Sequence, residues 1–191
     1  MKLLTNSDEI LALPLSLGIP LEMWGKDQAK SVDQFVDEVL SGEASLEVRS
    51  GRLVRKITCA GIMIRYTCWS PNLKLVEAHQ IYKKRGCKRT RNNFAGLSAI
   101  SRFNPREIDA RTAAQQILGE RLGINARSYA LDEDDPPVIC KPMVPSLSYP
   151  GLYDENSIHV FLWNMPKEHF RVEGYVEEQQ TYRTHFAWEN L

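Results

Sequence analysis

The chain has 191 residues, with 24 Lys and Arg against 24 Asp and Glu and a formal net charge of +0, so no global field draws it to nucleic acid or to an acidic membrane. An apolar share of 43% is enough for a sizeable core and argues against disorder. No apolar run approaches the ~18 residues that span a bilayer, the opening MKLLTNSDEI is far too short in apolar residues for a signal peptide, and Cys59, Cys68, Cys87 and Cys140 are scattered without a CxxC, which speaks against a zinc site or disulfide frame and for a cytoplasmic protein.

Residues 1–22 read as a short helix and an extended segment, with Pro14 and Pro20 in it; Trp24 follows and Gly25 breaks the chain. Ser31-Val32-Asp33-Gln34 fits a capping box, Ser31 as N-cap and Gln34 at the third position. Val32, Phe35, Val36, Val39 and Leu40 give that helix an apolar face, and it ends at Gly42. Leu46 to Arg49 alternates, Ser50-Gly51 turns, and Leu53 to Ile57 resumes, a hairpin signal whose second strand runs on through Ile62–Tyr66. After the Ser70-Pro71-Asn72 turn, Lys74 to Tyr82 is the next strand.

Residues 83–91 carry six basic side chains in nine, Lys83, Lys84, Arg85, Lys88, Arg89 and Arg91. A solvated turn explains them. So does contact with phosphate, RNA or an acidic protein surface, in which case binding fades as salt rises; base stacking is not indicated, because no aromatic residue interleaves the run.

Phe94 to Ile124 is a loop, a helix and a Gly-Ile exit. Ala110, Ala113, Ala114, Ile117 and Leu118 form one apolar helical stripe. Pro105 precedes the helix, Asp109 puts a carboxylate in its first turn, and Gly123 closes it as a left-handed cap. Arg127–Leu131 reads as a short strand, Asp132–Asp135 as a solvated acidic loop, and Val138–Met143 as a strand that Pro142 marks as an edge. In the Pro/Gly/Ser/Tyr loop 145–156, Tyr149 and Tyr153 either stack on a ligand ring or cover the end of the sheet. Ile158–Trp163 reads as a central strand, 167–180 as amphipathic and partly helical, and Thr181–Trp188 as the closing strand. His79, His159, His169 and His185 show no metal-ligand spacing.

The run Gln116-Ile117-Leu118-Gly119-Glu120-Arg121-Leu122-Gly123-Ile124 resembles the end of a Nudix box, Arg-Glu-apolar-x-Glu-Glu-x-Gly-apolar. Leu118, Glu120, Gly123 and Ile124 match. The pattern's Arg falls on Gln116, its next Glu on Ile117 and its last Glu on Arg121, while the upstream Gly and Glu fall on Arg102 and Ile108. The resemblance covers about residues 46–190 and implies an α/β fold, an α/β/α sandwich with a mixed β-sheet: residues 46–191 form the Nudix-like domain and 1–45 an N-terminal helical extension.

Nudix hydrolases hold a divalent metal on a pyrophosphate with glutamates from this helix, and a hard cation such as Mg²⁺ needs several oxygen ligands. Here the corresponding face reads Ile117, Glu120, Arg121. Asp109 and Glu120 point to nearly the same side, but 11 residues put them roughly 16 Å apart along the axis, too far to share one ion. The resemblance therefore implies a non-catalytic binding or regulatory protein with no cofactor, which recognises a nucleotide-like phosphate ligand or a protein partner. The basic residues of 83–91, Arg102, Tyr149 and Tyr153 are its candidate contacts. The alternative is a Mg²⁺- or Mn²⁺-dependent hydrolase of nucleoside diphosphate derivatives, with Glu120 and Glu107 catalytic, Glu120 on the metal, and Glu77 and Glu155 as further donors.

Overall fold

The computed structural model describes residues 6–26, 29–68, 70–83, 88–90, 99–125, 131 and 136–191. Among these residues the elements run in order: α1 (Ser7–Ser16), α2 (Val32–Ser41), β1 (Ala44–Arg49), β2 (Arg52–Tyr66), β3 (Leu73–Tyr82), β4 (Lys88–Thr90), β5 (Ala99–Arg102), α3 (Ala110–Leu122), β6 (Val138–Cys140), β7 (Val144–Pro145), β8 (Tyr153–Asn164), β9 (Tyr175–Glu178) and β10 (Tyr182–Asn190). The fold is α/β on one large mixed sheet. Strand order is β6-β8-β2-β3-β10-β9, with β1 and β5 also on β2, β4 on β3 and β7 on β8. No described helix is long and apolar enough to cross a membrane.

Contacts divide the chain into two compact units: Met1–Cys59 with Arg102–Asp109 and Ile139–Ile158, and Ala60–Ser101 with Ala110–Val138 and His159–Leu191. In the first unit, Asn6 caps α1 by accepting the Glu9 N–H at 2.8 Å. Ser31 and Gln34 make the expected reciprocal capping box on α2, and Gly42, at φ +87°, ends that helix in the left-handed region. A side chain at 42 would also crowd the Asn104 and Arg106 side chains, with Asn104 Oδ1 at 2.8 Å, so glycine suits both the backbone and the space. Ser50 and Gly51, at φ +51° and +73°, form a two-residue turn of the I′ kind that matches the twist of β1 and β2, paired from Arg49↔Arg52 to Ala44↔Ile57.

The core of this unit is a ring cluster. Trp24, Phe35 and Tyr149 lie with centroids 4.9–5.2 Å apart at steep interplanar angles, the edge-to-face arrangement that ring quadrupoles favour. Trp24 also donates its indole N–H to the Pro150 carbonyl at 3.0 Å.

In the second unit β10 pairs antiparallel with β3 from Tyr182↔Tyr82 to Asn190↔Leu73, with a bulge between His185 and Phe186, and β9 pairs with β10. Phe170 stacks on Tyr66 at 3.9 Å and packs against Trp188 at 5.1 Å. The expected partly helical segment at 167–180 is corrected: a single 3-10 turn, Lys167–His169, is followed by β9. Gly174, at φ +81°, makes the entry to β9, where any Cβ would collide with the Phe186 carbonyl oxygen. Pairing with β10 then overrides the helical pattern, because Tyr175 and Glu177 alternate inward. The sequence expectations at 126–130 and 132–135 lie outside the described residues.

Candidate functional site

Helix α3 buries Ala113, Ala114, Ile117, Leu118 and Leu122. Its exit is fixed by Gly123 at φ +66°, whose N–H donates to Gly119 O at 3.1 Å, and by the Ile124 N–H, which donates to Leu118 O at 3.2 Å. The opposite side of the helix is hollowed. Thr112, Gln115, Gln116, Gly119, Glu120, Ile124 and Asn125 line a depression of about 340 Å³. Glu120 is exposed on its rim.

The helix positions that carry the Nudix resemblance have three different fates. Ile117 is 1% exposed and belongs to the core. Glu120 faces the hollow. Arg121 donates from Nη2 to the Ile100 carbonyl at 2.9 Å and holds Nη1 3.9 Å from Oε2 of Glu177. Glu177, on β9, is buried; its other oxygen accepts from Gln179 Nε2 at 2.5 Å. Opposite it in register is Thr184, fully buried and 3.2 Å from Gln80 Nε2. Glu177 was missed by sequence reasoning because its segment reads as a helix; the one signal was the alternation Tyr175-Val176-Glu177.

The remaining carboxylates singled out from the sequence are scattered in role. Glu107 is exposed in the turn before α3, its N–H donating to Asn104 O at 3.0 Å. Glu155 pairs with Arg49 at 3.2 Å. Glu77 is half-buried on β3. No three His, Cys, Asp or Glu side chains among the described residues are grouped as metal ligands.

Of the basic run, Lys83 lies 2.9 Å from Glu178, which Arg183 also engages. The hydrogen bond from Lys83, followed by that from Arg183, holds the Glu178 carboxyl below its ordinary range. Lys88 is exposed on β4, and Arg89 takes the backbone position opposite Gln80. Lys84, Arg85 and Arg91 lie outside the described residues.

A second polar centre occupies the first unit. Arg55 is 0% exposed on β2; its Nη1 donates to Glu38 Oε2 at 2.5 Å and its Nε to Asp154 Oδ1 at 2.8 Å, and its guanidinium lies 4.7 Å from the Tyr149 ring centre. Ser146 donates to the other Asp154 oxygen at 2.8 Å. Lys30 and Arg102 also reach Glu38, Arg102 at 3.3 Å. Burial pushes the Glu38 carboxyl up, but the Lys30 hydrogen bond and the three cationic neighbours outweigh it, and the net direction is down.

Three of the candidate contacts read from the sequence lie in this unit. Arg102 points its guanidinium at Glu38. Tyr149 is fully enclosed and presents no ring face to a ligand. Tyr153 is half-buried beneath Arg52, 4.9 Å from ring centre to guanidinium.

No protein-family model matches the sequence, and no curated protein matches it significantly. Three solved structures share features with it. A C. elegans Ap4A hydrolase binary complex is similar over 70% of this chain and 77% of that one, at 14% identity and a TM-score of 0.39. A second C. elegans Ap4A hydrolase structure covers 67% and 78%, at 12% identity and a TM-score of 0.35. The apo form of T. brucei MERS1 covers 88% and 62%, at 13% identity and a TM-score of 0.29. The α/β assignment stands on the strands and helices themselves.

Proposed function

We propose that this chain is a Nudix-like domain working as a cytoplasmic binding or regulatory module, for a nucleotide-like phosphate ligand or a protein partner, and not as a metal-dependent hydrolase. The observation that carries the reading is Arg121. At the position where the box resemblance calls for a metal-holding glutamate, a cation is tied to Ile100 and to the buried Glu177. A second box position, Ile117, is core. Among the described residues no metal-ligand group forms around Glu120 on its exposed helix face, and one carboxylate leaves Mg²⁺ with most of its own water. The free thiols Cys59, Cys68 and Cys140 are consistent with a reducing compartment.

The test is phosphate release from a panel of nucleotide sugars and dinucleotides across a Mg²⁺ and Mn²⁺ titration, run beside Glu120→Gln. The expected result is no metal-dependent turnover in either protein, together with thermal stabilisation by a ligand in the absence of metal. Turnover that requires metal and disappears in Glu120→Gln would establish the hydrolase instead.

A further inference from the structure

We propose that the stacked pair His79–His185 is an acid-sensitive latch, which holds strand β4 on β3 and lets it go as pH falls. The two imidazoles oppose each other in register, His79 on β3 and His185 on β10, and a bulge follows directly after His185. Their ring centres are 4.4 Å apart and their planes 14° from parallel. The Nε2 of His185 is buried and has no hydrogen-bond partner among the described residues. In a neutral imidazole that nitrogen can stay unprotonated, because only one of the two ring nitrogens carries a hydrogen. A second proton would make it a buried donor with no acceptor. Two imidazoliums face to face would also repel each other across 4.4 Å.

On its other side His79 pairs with Thr90 of β4. The neighbouring cross-strand row on the same face is Lys88, Ile81, Arg183 and Glu178, so its charged groups are Lys88 from β4, Arg183 from β10 and Glu178 from β9. Glu178 is engaged by Lys83 and Arg183. Glu77, beyond the bulge, pairs in register with Phe186. Burial, then Lys88, then His185 push the His79 imidazole below its ordinary value of 6.5. The paired state therefore takes up a proton less readily than the opened one. Pairing is strongest above pH 6.5 and weakens as pH falls below it. β4 is the piece that yields, because it meets β3 at three positions, whereas β10 follows β3 from Tyr182 to Asn190. Its departure removes Lys88, gives His79 room to swing off His185 into water, and uncovers the β3 edge at His79–Ile81.

The experiment follows backbone amide exchange of the whole chain by NMR at about pH 7.5 and about pH 5.5, expressed as protection relative to the intrinsic rate at each pH. Protection of the β4 amides and of His79–Ile81 is expected to fall roughly tenfold, the change that one pH unit of differential protonation produces, while α3 keeps its protection. His185→Phe retains a flat ring against His79 and removes one charge and the buried nitrogen, so its β4 protection should be the same at both pH values. His79→Gln should behave alike and serves as the second variant. An equal fall in both variants, no fall in the wild type, or a matching loss across α3 would overturn the latch.

Discussion

The Arg121 guanidinium stands 3.9 Å from the carboxylate of Glu177, a side chain 5% exposed on β9. Restoring the box with Arg121→Glu would place a second carboxylate beside a buried one. We expect a loss of about 3 kcal/mol in urea-monitored unfolding, from an unpaired buried charge and like-charge repulsion. We also expect no metal-dependent phosphate release from the variant. A stable, metal-activated Arg121→Glu protein would show that the ion pair is dispensable.

Glu38 gathers Lys30, Arg55 and Arg102. Replacing it with Gln leaves Arg55 with Asp154 alone and should lower stability by about 3 kcal/mol. The pH dependence has a defined sign. Because the folded-state carboxyl lies below its ordinary value of 4.5, its contribution is complete above that pH and is lost as pH falls through the folded-state value. Wild-type stability measured by urea midpoint should therefore decline below about pH 4.5, and Glu38→Gln should flatten that decline.

The aromatic cluster gives a contrast between two tyrosine-bearing neighbourhoods. Phe35→Ala removes a fully buried ring from between Trp24 and Tyr149, and should cost about 3–5 kcal/mol. Tyr153→Ala, which removes a half-buried ring under Arg52, should cost about 1 kcal/mol. Thermal melts of the two variants check the ordering.

Strand β6 ends the sheet order, and Val138 and Ile139 on it are 48% and 46% exposed. An apolar edge of this kind invites pairing with another chain, and proline is a common defence because it cannot donate to a ladder. Pro137, Pro142 and Pro145 are all exposed along this edge. Replacing Pro142 and Pro145 together with threonine should raise self-association, seen as a concentration-dependent increase in mass by light scattering. An unchanged monomer-to-oligomer profile would show that other features protect the edge.

The elements written in local chemistry were legible from the sequence. The Ser31 and Gln34 box, the Ser50-Gly51 turn and the Gly123 exit each need only a few adjacent residues, and each appears as read. Arg55 was not legible: in an alternating strand it passes for a solvent-facing residue, and its partners Glu38 and Asp154 lie 17 and 99 residues away. The same limit hid Glu177, whose environment is set by Arg121 and by the pairing of β9 with β10. Glu120 was found because a spaced pattern points to it; the hollow beside it also takes Ile124 and Asn125 from beyond the helix, which no helical pattern announces.

The indole of Trp24 is tied to the carbonyl of Pro150, 126 positions further on. During synthesis the first unit cannot close its ring cluster until that second partner has left the ribosome, roughly 6–25 s later at about 5–20 residues per second. For that interval the rings of Trp24 and Phe35 lack their third member. Over that interval the apolar faces of the N-terminal helices wait for the rest of their core.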